Sequence, residues 1–162
     1  MSYVIRDYRD GEAPALAAIT LAAIRGVGAH GYSPDQVAAW AARHPGAERF
    51  RERVAAGHRI FLAADRMDEP VAYSLLEPDG HLDMLYCHPD HTRQGLADRL
   101  LAAAEDHARG EAVMRLYTEA SELARSAFER AGYTVTHRRE FEIPFEDRTV
   151  PIHNYAMEKR LT

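Results

Sequence analysis

The chain has 162 residues, 46% of them hydrophobic and 28% charged, and a formal net charge of -5. That length suits one compact domain, residues 1–162, burying roughly two-thirds of its unfolded surface, and the acidic balance argues against a nucleic-acid partner, which needs clustered positive charge. The single cysteine, Cys87, leaves no intrachain disulfide and fits a reducing compartment.

Tyr3–Arg6 reads as a first strand, closed by the turn-prone Asp10-Gly11. Leu16, Ile19, Ala23 and Val27 then recur at helical spacing. Ser33-Pro34-Asp35 has the composition of a helix start, with Ser at the N-cap and Pro at the first helical position. That helix carries Val37, Trp40 and Ala41. Pro45 opens a further short helix through Phe50 and Val54. Arg59–Ala64, Val71–Leu76 and His81–Cys87 read as three strands of an antiparallel meander, separated by turn signals at Asp68–Pro70 and Pro78-Asp79-Gly80. Gly95 to Arg109 is an amphipathic helix with Leu96, Leu100, Leu101, Ala104 and Ala108 on one face. Val113–Thr118 is a strand, and Ser121 can cap a helix that Gly132 ends. Tyr133–Ile143 and Val150–Arg160 form a hairpin of two long strands. No apolar run approaches a membrane span, and the N-terminus lacks the apolar core of a signal peptide, so the expected location is cytoplasmic with no membrane partner.

The segment Leu82–Leu101, LDMLYCHPDHTRQGLADRLL, carries the chemistry. A strand ends at Cys87, a Pro-containing turn follows, and a short loop runs straight into a helix. A helix N-terminus presents unpaired N–H groups and partial positive charge. Gly95 and the small Ala97 allow phosphates to approach the backbone, Arg93 can add a charged contact, and Asp98 can cap the helix. A pyrophosphate suits such a loop. The loop has neither the Gly-Lys-Ser/Thr of a Walker motif nor the three glycines of a dinucleotide-binding turn.

With its flanks, this segment resembles the central motif of the GNAT N-acetyltransferases. In that family a strand of the form L-x-V-x-P leads into Arg/Gln-x-x-Gly-x-Gly/Ala and a helix with paired leucines. Here the strand end is Leu85-Tyr86-Cys87-His88-Pro89, the loop is Thr92-Arg93-Gln94-Gly95-Leu96-Ala97, and the leucines are Leu100 and Leu101. Thr92 departs from the usual Arg or Gln. Downstream, Glu119–Tyr133 is similar to the family's N-x-x-A-x-x-F-Y-E-K-x-G-F helix. Leu123 stands where an Asn often contacts the cofactor, and Phe128 replaces the tyrosine that often serves as general acid. Tyr32–Ala42 is similar to a stretch of one bacterial branch of the family.

The resemblance implies an α/β (mixed α+β) domain whose mixed, mostly antiparallel central sheet is flanked by helices. It implies acetyl-CoA as cofactor, held by Leu85, Tyr86, Cys87, Thr92, Arg93, Gln94, Gly95, Leu96, Ala97 and Asp98, with Leu123 and Phe128 on the neighbouring helix. The activity it implies is acetyl transfer to an amine of a small molecule or peptide, by direct attack. It also implies that the strand ending at Cys87 splays from the next, freeing a backbone N–H near Leu85 or Tyr86 as oxyanion donor. An amine has a pKa near 10, so a base must collect its proton. Asp83 and His81, two residues apart on one strand, are the candidates, Asp83 as base or ammonium anchor and His81 as assistant. The general acid is open among Tyr86, Tyr133, Tyr155 and water. Cys87 reads as a small core hydrophobe rather than a nucleophile, and the local histidines match no metal-ligand spacing. Tyr32, Gln36 and Trp40, with Asn154 in the last strand, are expected to line the acceptor site. The net charge slightly favours a cationic amine. The missing tyrosine at Phe128 motivates one alternative, a non-catalytic acyl-CoA-binding regulatory module. A homodimer is the open alternative to a monomer, dimers being the commonest oligomers of soluble proteins.

Overall fold

The computed structural model describes residues 2–44 and 46–162. Seven strands and five α-helices follow in order: β1 (Val4–Asp7), α1 (Ala13–Val27), α2 (Pro34–Arg43), α3 (Ala47–Ala55), β2 (Arg59–Ala64), β3 (Pro70–Leu76), β4 (Leu82–Cys87), α4 (Leu96–Gly110), β5 (Arg115–Ala120), α5 (Arg125–Arg130), β6 (Thr134–Phe145) and β7 (Arg148–Arg160). The expected helix start at Pro45 lies outside the described residues. Strand β5 begins two residues later than its sequence pattern suggested. Ser121 caps a turn ahead of α5 rather than α5 itself, its Oγ accepting from Ala124 N at 3.1 Å.

Strands β1 to β4 form an antiparallel meander, and the chain's last strand, β7, inserts between β5 and β6 in a second antiparallel sheet. Strands β2 and β3 are central and covered on both faces, which is why RIFLAA and PVAYSLL read as continuous apolar runs. Ile60, Leu62, Tyr73 and Leu75 pack with Leu16 and Ile19 of α1 and Phe50 of α3. Phe61, Ala63 and Ala72 pack with Leu96, Leu100 and Ala104 of α4 on the other side. A third cluster sets Ala39 of α2 and Tyr32 against Ile143, Val150 and Ile152 of the β6–β7 hairpin. The stretch Ala13–His30 is long and apolar enough to cross a membrane by composition alone. In this fold its Leu16, Ile19, Ala23 and Ile24 are buried in the protein.

The two sheets meet at one place. His81 and Tyr117 form a single parallel bridge, Tyr117 N donates to the Gly80 carbonyl at 3.1 Å, and Thr118 Oγ1 donates to the Leu82 carbonyl at 2.7 Å. Gly80 has φ +103 and a Cβ there would overlap the Arg115 carbonyl, so the close approach of the sheets requires glycine. Beyond that point β4 and β5 share no ladder among the described residues. The edge of β4 from Asp83 to Cys87 is left open.

Candidate active site

Two cavities flank the open edge of β4. The smaller, about 250 Å³, runs along Leu85–Cys87 to the loop before α4, with Ala23 and Val27 of α1 on one wall and Leu123 and Ala127 on another. The larger, about 600 Å³, lies between β4, β5, α2, α3 and the β6–β7 hairpin. They share Trp40, Leu85, Tyr86, Ser121 and Ala124 as common wall. One continuous cleft therefore passes through the splay between the sheets.

At the far end of the smaller cavity, α4 begins without a side-chain cap. Its N-cap is Gly95, at φ +74. Helix α2 offers the contrast, since Ser33 and Gln36 close a full capping box there. The first-turn N–H groups of α4 are thus left for another acceptor, and a Cβ at Gly95 would meet nothing within 4 Å, so the space above them is open. Arg93 is held left-handed at φ +62, a conformation that costs a non-glycine residue about 1–2 kcal/mol. Thr92, Arg93, Gly95, Leu96, Ala97 and Asp98 all reach the cavity wall. Gln94 is exposed and does not border the cavity. The expected capping role of Asp98 is also corrected, because its carboxylate takes the Arg130 Nε at 3.1 Å instead. Helix α1 presses on the loop through Gly26, where a Cβ would stand 2.6 Å from Pro89 Cγ. An uncapped helix N-terminus joined to an apolar slot fits a pyrophosphate continued by a thin, largely apolar arm, as in coenzyme A. Cys87 lies on this slot with its thiol donating weakly to the His88 and His91 carbonyls, and burial pushes its pKa up to about 11. It stays a thiol at neutral pH.

On the larger side, Asp83 and His81 are brought together through residues that sequence reasoning missed. Arg53 Nη1 donates to Asp83 Oδ2 at 2.7 Å and Arg53 Nη2 to Glu77 Oε2 at 3.2 Å. Glu77 in turn meets His81 Nδ1 at 2.5 Å, while Glu119 of β5 meets His81 Nε2 at 2.8 Å. Burial opposes charge on the His81 ring, but the hydrogen bond and charge of Glu119, the bond to Glu77 and the charge of Asp83 outweigh it, raising the pKa to about 9. His81 is therefore an imidazolium at neutral pH with both nitrogens committed, and it is not on either cavity wall. This corrects its expected role as an assisting base. Asp83 does line the larger cavity. The ligand atoms of Glu77, His81 and Asp83 lie within 4.8 Å of one another, but Arg53 already holds both carboxylates.

Tyr32, Trp40 and Asn154 line the larger cavity. The Tyr32 hydroxyl donates to the His153 carbonyl and accepts from Glu122 N. Gln36 lies away from both cavities, since its amide is spent on the capping box and on the Pro151 carbonyl at 2.9 Å. Phe128, assigned to the cofactor, instead lines the larger cavity. Tyr86 borders both, and burial drives its pKa well above the usual phenol value. Tyr133 and Tyr155 border neither; the Tyr133 hydroxyl is buried without a partner and the Tyr155 hydroxyl donates to Glu122 at 2.9 Å. The only sequence signals for the missed residues were Glu77 four positions before His81 and Glu119 at the head of the second motif.

Comparison with known proteins identifies the family of the fold. The family model described as Acetyltransferase (GNAT) domain matches residues 29–159. The uncharacterized N-acetyltransferase YafP of Escherichia coli K12 is 30% identical over 138 residues, covering 85% of each chain. A GCN5-related N-acetyltransferase structure from Rhodopseudomonas palustris superposes with a TM-score of 0.85 at 31% identity, over 99% of this chain and 97% of that one. The PaiA N-acetyltransferase of Thermoplasma acidophilum, solved in complex with coenzyme A, shares the fold with a TM-score of 0.77 at 16% identity, over 99% and 100% of the two chains.

Proposed function

The chain belongs to the GNAT acetyltransferase family, with acetyl-CoA as its cofactor, and on that premise we propose that it acts as an N-acetyltransferase on a primary amine, by direct attack in a ternary complex. The observation that carries this reading is the pair of cavities meeting at Leu85 and Tyr86 on the open edge of β4. One is shaped for the cofactor, the other is left for an acceptor, and their junction is the place where a thioester and an amine can meet. Bound acetyl-CoA supplies the activated acetyl group; the chain supplies position, hydrogen bonds and a route for protons.

The first turn of α4, with Arg93 and Gly95, holds the phosphates through backbone N–H groups. The unpaired backbone of β4 near Leu85 and Tyr86 holds the arm and presents an N–H to the oxygen that gains charge, the interaction that contributes most to acyl transfer. Asp83 anchors the acceptor ammonium and takes its proton, directly or through water. Arg53 fixes the Asp83 carboxylate by one oxygen, Oδ2, leaving Oδ1 for the amine. Tyr86, protonated at neutral pH, donates a hydrogen bond to the departing thiolate, which takes its proton from water. Phe128 contributes an apolar wall only. The whole chain acts as one domain in this reading.

The test is acetyl-CoA-dependent thiol release across an amine panel, with wild type and Asp83→Asn. Loss of the proton acceptor should lower kcat/KM by roughly 10²–10⁴-fold, with acetyl-CoA affinity unchanged. Unaltered turnover in Asp83→Asn would remove Asp83 from the mechanism. Acetyl-CoA binding without thiol release from any amine would refute transfer and favour an acyl-CoA-binding regulatory module.

A further inference from the structure

The wall of the larger cavity does not share the chain's acidic balance. It carries Arg43, Arg49, Arg53 and Arg139 against two carboxylates, Asp83 and Glu119. Glu119 is engaged by His81, and Arg53 takes one oxygen of Asp83, Oδ2, leaving Oδ1 for an ammonium. Arg53 is itself consumed between Asp83 and Glu77. Three guanidinium groups are left over. Among the described residues, Arg43 at the end of α2 and Arg49 in α3 have no hydrogen bond, ion pair or ring contact through their side chains. Arg139 of β6, half-buried, has only the neutral amide oxygen of Asn154 at 3.3 Å and the face of Phe141.

Other arginines among the described residues also lack a carboxylate partner, Arg25, Arg66 and Arg160 included, but these three line the larger cavity. Arg6, Arg9, Arg59, Arg115 and Arg148 are each matched by a carboxylate within 3.2 Å. None of the three borders the cofactor cavity, so the phosphates of coenzyme A do not account for them. Arg43 and Arg49 are exposed and Arg139 is half-buried, and a concave wall with uncompensated cations focuses a positive potential into the cavity. Guanidinium groups bind carboxylate and phosphorus oxyanions through paired, charge-assisted hydrogen bonds.

Resting on the transfer reading above, we propose that the acceptor is a small amine that also bears an anionic oxygen group. Its ammonium faces Asp83 at the β4 edge, and its carboxylate or phosphorus oxyanion is held by Arg139, with Arg43 and Arg49 at the mouth. This reverses the expectation drawn from net charge, because the charge that selects a substrate is that of the cavity wall. The excess of acid in this chain lies elsewhere on its surface.

The experiment compares propylamine, 3-aminopropanoate, 3-aminopropylphosphonate and 1,3-diaminopropane as acceptors, with wild type, Arg139→Gln, Arg43→Gln/Arg49→Gln, and Arg51→Gln as control. Arg51 pairs with Glu48 and borders neither cavity. At least one anionic amine should exceed propylamine at least roughly tenfold in kcat/KM, the diamine should be poorest, and the two anionic amines separate carboxylate from phosphonate preference. Arg139→Gln should lower the anionic acceptors by roughly ten- to a hundredfold, the worth of one hydrogen bond between charged groups, with propylamine, acetyl-CoA affinity and Arg51→Gln unchanged. Equal or better use of propylamine or the diamine would overturn the proposal while leaving N-acetyl transfer intact, as would equal losses on every amine in Arg139→Gln. If no amine turns over, calorimetry with the same amines on the CoA-loaded protein decides separately. Preferential binding of an anionic amine, lost in Arg139→Gln, upholds the anion site although transfer has failed; no preference overturns it.

Discussion

The His81 clamp predicts how stability should fall on the alkaline side. The ring sits between Glu77 and Glu119, its side chain is 15% exposed, and its pKa is about 9, against an ordinary value of 6.5. A pKa raised by folding means that stabilisation is complete below 6.5 and is lost as the pH climbs through 9. At 1.36 kcal/mol per pH unit of separation, the ceiling is about 3 kcal/mol, and residual solvent access reduces this to about 1–2 kcal/mol. The measurement is urea unfolding of wild type and His81→Gln at pH 6, 7, 8, 9 and 10. The variant should be the less stable at pH 6–7, and the difference should shrink by about 1–2 kcal/mol by pH 10. Tyrosine ionisation acts in the same range but is common to both proteins, so it cancels in the difference. Parallel stability curves for the two proteins across the whole range would refute the charged clamp.

Three further outcomes follow from the cofactor side. Gly95→Glu should weaken CoA affinity at least roughly tenfold by calorimetry, since it sets a carboxylate over the amides that hold phosphate; the left-handed φ of +74 adds about 1 kcal/mol of strain, or a few degrees in Tm. Gly26→Val should drive the side chain into Pro89 and cost about 1–3 kcal/mol, with weaker CoA binding because the 89–95 loop must shift; an unchanged CoA affinity would separate that packing from the site. Cys87, with its pKa near 11, should react with iodoacetamide at pH 8 at least roughly tenfold more slowly than an ordinary thiol. Its rate should climb toward pH 11 and fall further when CoA is present.

Much of the cofactor half was written in local sequence. The strand–loop–helix order around Cys87–Asp98, the glycine that can turn left-handed, and the leucine face of α4 are short-range features, so periodicity and composition expose them. The capping box at Ser33–Gln36 was equally legible as a helix start, and that same chemistry turns the Gln36 amide away from the larger cavity. The acceptor half depended on contacts distant in the chain. Arg53 meets Asp83 across thirty positions and His81 meets Glu119 across thirty-eight, so no spacing rule could announce either. Whether His81 was a base or a fixed cation turned on the two carboxylates that folding brings to its ring. Net charge pointed toward a cationic acceptor because it averages the whole surface. Only the tertiary structure showed which arginines without a carboxylate partner, Arg43, Arg49 and Arg139, line the larger cavity.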